Sequence, residues 1–175
     1  MKIFSSLILA CALAIPALAQ DATTNAAADA SAPGQFFAAS AAVMTAPLVL
    51  TNDYIYLPGD QAEVTNGGSA VFNFTVADAG DYVIETTVNA PADNSNSFFV
   101  NIDDQPTDPD MIWDIDITMG FEKRIMSWRG NGDSATDQFA PKRFTLTAGA
   151  HKLIIIGREA DTQLKSLTIR PAPPK

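Results

Sequence analysis

The sequence predicts an all-β protein, an antiparallel β-sandwich of the jelly-roll type. Apolar and polar residues alternate with a period of two in many short segments, which is typical of strands that cover a core on one side. Turn-forming residues separate these segments about every ten positions, and no long segment has a helical period. About nine or ten strands fit a jelly roll better than an immunoglobulin domain, whose usual Cys-Trp-Cys framework is also absent from the sequence.

The clearest strand pair lies on either side of a polar loop, residues 90–97. In the first strand, the even-numbered side chains from Tyr82 to Val88 point to one face, and Val83, Glu85, Thr87 and Asn89 point to the other. After the loop, the segment from Phe98 to Ile102 repeats the alternation. These two strands are therefore expected in the scaffold.

The remaining strands follow from the same pattern, with turns rich in Gly, Asn, Asp and Pro between them. The sequence Asn66-Gly67-Gly68 is the strongest of these turn signals. In chain order, the other strands are expected at residues 47–50, 54–57, 70–76, 112–117, 121–128, 143–147, 152–157 and 163–169.

The ends of the chain differ in composition from the expected sandwich. Residues 1–19 have the features of a secretory signal peptide, with Lys2 before an apolar run and a small-x-small cleavage pattern that ends at Ala19. This pattern predicts a secreted or periplasmic protein, with no membrane span after the signal. Residues 20–42 are expected to be a flexible linker, residues 43–171 the β-sandwich, and residues 172–175 a Pro-rich tail.

Composition narrows the classes of function. The formal net charge of −9 argues against nucleic acids and anionic membranes as partners, and is compatible with neutral sugars or calcium. The only cysteine, Cys11, lies in the signal, and the only histidine, His151, begins a strand and is expected at the surface. Nucleophilic triads and zinc sites are therefore not expected. Paired carboxylates such as Glu159 and Asp161 leave a small glycosidase as an alternative, but so small a sandwich has little room for a shaped cleft.

Several segments, taken in order, resemble the galactose-binding-like jelly rolls, notably the carbohydrate-binding modules of families six and thirty-five. These segments are residues 79–84, 89–91, 96–103, 144–153 and 157–159, followed by Leu164. The resemblance implies a non-catalytic domain that binds an oligo- or polysaccharide through loops at one end or edge of the sandwich. Such modules often hold a structural calcium ion with a Glu in the first strand and an Asp in the last. Here the first strand is apolar and Lys165 follows Leu164, so neither acidic ligand is in its place. No cofactor is therefore expected, and a structural calcium ion is kept as the alternative.

A sugar site needs an exposed aromatic ring for the C–H face of the sugar and planar polar groups for its hydroxyls. In family six, a tryptophan after the long middle loop stacks on the sugar and an Asn near the last strand bonds it. Trp128, which borders the polar loop 129–137, and Gln163 lie in roughly those places. The candidate ligand-binding residues are Trp128, Trp113, Asn94, Asn96, Asp103, Arg158 and Asp161.

Each candidate also has a structural alternative. The tryptophans could pack in the core, and the asparagines could only form a turn. Arg158 could form an ion pair with Glu85 or Glu159, and the acidic run 103–116 could be a solvated edge that discourages strand pairing. At the level of function, the alternative to a sugar-binding module is a structural or protein-interaction domain of the cell envelope or matrix that lacks a sugar site.

Overall fold

The protein is described by a computed structural model that covers residues 34–129 and 137–174. Short 3₁₀ turns accompany the strands at Ala39–Ala41 and Asp137–Phe139. The strands are β1 (Gln35–Ala38), β2 (Val43–Thr45), β3 (Val49–Thr51), β4 (Tyr54–Tyr56), β5 (Ser69–Val76), β6 (Gly80–Asn89), β7 (Ser97–Ile102), β8 (Ile112–Asp114), β9 (Glu122–Ile125), β10 (Phe144–Leu146), β11 (Gly149–Gly157) and β12 (Gln163–Pro171).

Within the described residues, these strands form two antiparallel sheets packed as a sandwich, which confirms the predicted fold class. Sheet A has seven strands in the order β10-β6-β12-β4-β3, with β9 also pairing with β6 and β1 with β12. Sheet B has five strands in the order β2-β5-β11-β7-β8. The longest ladders, β6 with β12 and β5 with β11, form the centres of the two sheets.

The core lies between the sheets because the strands alternate as the sequence predicts. In β6, Ile84 and Val88 are fully buried, whereas Glu85, Thr87 and Asn89 on the other face are partly exposed. The largest buried side chains include Trp113, Phe72 and Phe98. Burial of an aromatic or aliphatic side chain of this size stabilises the fold by about 1.5–3 kcal/mol each.

The outer face of sheet B carries a second apolar cluster, which the sequence pattern did not predict. Phe99, Ile112, Ile154 and Ile156 are all nearly fully buried there, and Val64 packs on them from the loop between β4 and β5. All six residues of β7 are therefore buried, rather than those of one face only. Sheet A lacks such a cover over much of its outer face, so this face retains partly exposed side chains.

The sandwich begins earlier than predicted. β1 pairs with β12 over four residues, and Phe37 packs edge-on against Phe72 in the core, so Gln35–Ala38 belongs to the sandwich and not to a linker. The backbone N–H of Ala172, in the predicted tail, donates to the carbonyl of Asp81. The predicted signal peptide and most of the linker lie outside the described residues. Among the described residues, no helix is long and apolar enough to cross a membrane.

Candidate functional site

The structure divides the predicted site residues among three places. Asn94, Asn96, Arg158 and Asp161 lie in the loops before β7 and after β11, whereas Asp103 follows the other end of β7. Six residues of strand separate these positions by roughly 20 Å. Trp128 lies near Asp103, and Trp113 lies apart from both groups, in β8. The seven residues therefore do not form one site.

Trp113 was wrongly predicted as a ligand-binding residue. Its side chain is 1% exposed and stacks on Phe98, with ring centroids 6.1 Å apart. It lies in β8, at the edge of sheet B, and points into the core between the sheets. A ring buried on both faces cannot stack on a ligand at the surface.

The polar groups of the first loop cluster bond mainly to the protein itself. The guanidinium of Arg158 donates to the hydroxyl of Ser97 at 2.6 Å and pairs with Glu159, one of the two partners expected for it. Glu159 also accepts from the backbone N–H of Asn96 at 3.0 Å. Asn94 and Asp161 are exposed. This network fastens two loops together, and ligand contact by its members stays a prediction.

Trp128 and Asp103 line a groove of about 330 Å³ with Asp104, Lys142 and Arg143. The indole N–H of Trp128 donates to the carbonyl of Val100 at 2.9 Å, and its ring meets Phe144 edge-on. The ammonium of Lys142 lies 4.0 Å from the centroid of the Trp128 ring. Burial lowers the pKa of Lys142. Lys142 covers one face of the indole and Phe144 packs against the ring. Little of the ring surface is therefore left for contact with a sugar.

Asp103 holds His151 across the same end of the sandwich. Its carboxylate lies 2.7 Å from Nδ1 of His151 and accepts the backbone N–H of Lys152 at 3.0 Å. Burial alone would raise the pKa of Asp103, but these hydrogen bonds lower it below the usual range. The carboxylate of Asp103 is thus already bonded within the protein.

A cluster of aromatic rings on the outer face of sheet A was not predicted from the sequence. Tyr54 and Tyr56 of β4 lie on either side of the buried Ile55, so both point to the outer face of sheet A. The ring centroids of the two tyrosines are 5.9 Å apart, and that of Phe121 is 5.7 Å from Tyr54. Among the described residues, neither tyrosine hydroxyl has a hydrogen-bond partner. We call these three rings the aromatic platform.

Side-chain amides lie next to the platform. Tyr56 is directly opposite Gln163 on β12, which is in turn opposite Asn89 on β6. The amide of Asn89 donates to Gln163 at 3.2 Å and its oxygen accepts the hydroxyl of Thr118 at 3.1 Å. The structure thus brings Gln163 beside Tyr56 rather than beside Trp128.

A charged pair completes the surroundings of the platform. The ammonium of Lys165 forms an ion pair with Asp53 at 2.6 Å and lies 5.2 Å from the ring centroid of Phe121. The loop from Ile115 to Phe121 is fixed here by the backbone N–H of Thr118, which donates to the carbonyl of Ala90. Aromatic rings, amides and a compensated charge pair therefore lie together at the end of sheet A where this loop enters β9.

One sequence signal does indicate the platform. The pattern Tyr54-Ile55-Tyr56 places two large rings on the face opposite the core, and a face that carries two adjacent tyrosines is unusual for a solvated strand. The sequence does not determine the register of β4 on β12, which lies more than a hundred residues later in the chain. It also does not determine where Phe121 lies, because a long loop precedes it. Both depend on tertiary packing.

The described residues do not include a cluster of metal ligands. Within residues 34–129 and 137–174, no group of three or more His, Cys, Asp or Glu side chains could hold a metal ion. Most of the polar loop after Trp128 lies outside the described residues.

Comparison with known proteins identifies the fold through solved structures. No protein-family model matches the chain, and no curated protein matches it. A family 35 carbohydrate-binding module from Clostridium thermocellum is similar over 81% of this chain and 100% of its own, with 14% identity and a TM-score of 0.55. The C-terminal CBM6 of a marine laminarinase from Zobellia galactanivorans is similar over 78% of this chain and 98% of its own, with 9% identity and a TM-score of 0.55.

Larger enzymes match through one part only. A GH26-CBM35 β-(1,4)-mannanase from Podospora anserina is 13% identical, with a TM-score of 0.55; the match covers 82% of this chain but only 28% of the mannanase. At such identities the likeness establishes the fold. The chain has the jelly-roll fold of carbohydrate-binding modules of families six and thirty-five, as its sequence resemblance implied.

Proposed function

We propose that this protein is a non-catalytic carbohydrate-binding module that holds a neutral glycan on the aromatic platform. The observation that carries the proposal is the cluster of Tyr54, Tyr56 and Phe121, whose ring centroids are less than 6 Å apart from one neighbour to the next on a partly exposed face. Such rings can stack on the C–H faces of sugars. The adjacent amides of Asn89 and Gln163 can bond sugar hydroxyls.

The chemistry around the platform favours a neutral glycan. The charge of Lys165 is compensated by Asp53, and the other polar groups next to the rings are amides and hydroxyls. A shallow, largely preformed site of this kind buries little area, so the binding should be weak for a single sugar. The platform offers no pair of carboxylates facing each other across a cleft, and we therefore propose binding without catalysis.

The platform is a better candidate than the groove at Trp128. The indole of Trp128 already bonds Val100, meets Phe144 and lies under Lys142. The two tyrosines keep their hydroxyls unbonded within the described residues. We also propose, from the predicted cut after Ala19, that the protein is secreted or periplasmic.

Affinity electrophoresis in gels that contain soluble mannan or laminarin would test the proposal, since mannanase and laminarinase domains share the fold. We expect Phe121→Ala or Tyr54→Ala to weaken retention by up to about tenfold, because one lost stacking contact is worth about 0.5–1.5 kcal/mol. The matched control is Val43→Ala, which trims a side chain that is 62% exposed on sheet B and should leave retention unchanged.

The results separate the two surfaces. If Trp128→Ala abolished retention while Tyr54→Ala and Phe121→Ala left it intact, the glycan would bind in the groove and the platform would be excluded. Circular dichroism and thermal unfolding of each variant would show that lost retention does not come from a lost fold.

A protein-interaction domain of the cell envelope or matrix is the second candidate. The observation that favours it is the loop beside the platform, which holds Met119 97% exposed and Ile117 49% exposed. The backbone N–H of Met119 donates to Glu122 at 2.8 Å, so the loop presents these apolar side chains from a fixed position. This candidate predicts that no glycan on a broad array is retained.

A further inference from the structure

Two short strands lie end to end along one side of β12. β6 occupies the other side of β12 from Gln163 to Pro171. On the free side, β4 pairs with Gln163 and Leu164, and β1 pairs with the segment from Ser166 to Ile169. β4, which carries the two platform tyrosines, and β1 therefore follow one another along the same side of β12.

Phe36 of β1 points to the same outer face as the platform. It lies directly opposite Thr168, whose neighbours Leu167 and Ile169 are buried in the core. The next residue, Phe37, packs inward on Phe72. Phe36 is 66% exposed, the second-largest exposure among the large apolar side chains that the structure describes. Phe36 thus adds an exposed aromatic ring to the outer face that carries the platform.

The register places Phe36 in line with the platform tyrosines. Tyr56 lies opposite Gln163 and Phe36 opposite Thr168. The two positions are five residues apart, and the bulge between Leu164 and Ser166 lets both face outward. At about 3.3 Å per residue, shortened by the bulge, roughly 15 Å separates them along β12. The small side chain of Ala38, opposite Ser166, and the 3₁₀ turn Ala39–Ala41, which contacts β4 and β12, lie between the tyrosines and Phe36.

Hydroxyls and compensated charges flank the line. Ser166 and Thr168 of β12 face Thr87 and Glu85 of β6 across the ladder. Glu85 forms an ion pair with Lys123 at 2.7 Å and lies 3.9 Å from the guanidinium of Arg170. Glu85 is thus paired with Lys123 and close to Arg170, and the side chains named here between the platform and Phe36 are polar without a strong net charge.

From this alignment we infer that the outer face of sheet A binds an internal stretch of an extended neutral polysaccharide chain, with Phe36 as a distal stacking ring. The inference rests on the proposed function and extends it from a site for one sugar to a track for a chain. A free chain end would need a closed wall at one side of the platform, whereas this face continues from Tyr56 past Ala38 to Phe36.

Isothermal titration with short and long oligosaccharides of one glycan, mannan or laminarin fragments, tests the track. We expect Phe36→Ala to weaken binding of a hexasaccharide about tenfold and to leave binding of a disaccharide unchanged, because only the longer chain spans the platform and Phe36. Val43→Ala serves as the control, since it removes an equally exposed side chain from sheet B. Thermal unfolding would check that β1 stays in place.

The outcomes separate the track from the proposed function. If Tyr54→Ala abolishes binding but Phe36→Ala affects neither fragment, the glycan-binding proposal holds and the track is overturned. The same conclusion follows if the hexasaccharide binds the native protein no more tightly than the disaccharide. If no fragment binds the native protein, the proposed function itself fails.

Discussion

The imidazole of His151 is held between two acceptors. Its Nδ1 lies 2.7 Å from the carboxylate of Asp103 and its Nε2 lies 2.8 Å from the carbonyl of Thr147. A neutral imidazole can donate from only one nitrogen, so this arrangement favours the charged ring. The hydrogen bond to Thr147 and the bond to Asp103 both raise the pKa of His151 above its ordinary value. The side chain of His151 is 7% exposed, but that of Asp103 is 47% exposed, so water screens part of this contact.

The stability of the fold should therefore depend on pH through His151. A histidine whose pKa is raised by folding contributes fully below its unfolded pKa of about 6.5, and the contribution is lost as the pH rises through the folded value. The pKa of Asp103 is lowered, so its part is present above its unfolded pKa and is lost in acid. We expect His151→Gln to destabilise the protein more at pH 6 than at pH 9, as measured by urea unfolding. An equal loss at both pH values would contradict the charged pair.

Among the loops, the one between β4 and β5 is fixed by its close approach to the end of β11. A Cβ on Gly67 would lie 1.9 Å from the carbonyl oxygen of Gly157, and the backbone N–H of Ala62 donates to the carbonyl of Arg158 at 2.7 Å. This contact holds the loop that carries Val64 over the outer face of sheet B. The glycine of the predicted turn is thus required by packing between two backbones.

We expect Gly67→Ala to lower the free energy of unfolding by about 1–3 kcal/mol, because a backbone carbonyl cannot move aside for the added methyl group. Gly80→Ala is the matched control, since a Cβ there would meet no atom within 4 Å. Chemical denaturation of both variants is the measurement. Equal stability of the two would show that the contact at Gly67 is not tight in solution.

The strands could be predicted where local pattern alone determines them. β6 and β7 follow from alternation in the sequence, and their positions are confirmed. β1 could not be predicted, because its residues lie in an Ala-rich stretch and become a strand only by pairing with β12. The platform likewise depends on which distant strand lies beside β4. Trp113 and Trp128 are large rings that could stack on a sugar, yet the first is buried and the second is half-buried under Lys142.

In the molecule as a whole, the two outer faces of the sandwich differ. Sheet B carries a second apolar cluster under the loops that follow β4 and β7, with Val64 and Pro106 next to Ile156. Sheet A leaves aromatic rings, amides and hydroxyls on its outer face, in line along β12. Within the described residues, apolar side chains and loops thus cover part of the outer face of sheet B, whereas the outer face of sheet A is the one on which we propose that a glycan binds.

The most direct test of this account maps the glycan on the molecule. Titration of the isotope-labelled protein with mannan or laminarin oligosaccharides, followed by NMR, reports which residues change their environment. Binding on the platform predicts the largest shifts at Tyr54, Tyr56 and Phe121, with a shift at Phe36 only for the longer fragments. Shifts confined to Trp128 and its neighbours in the groove, with the outer face of sheet A unaffected, would contradict it.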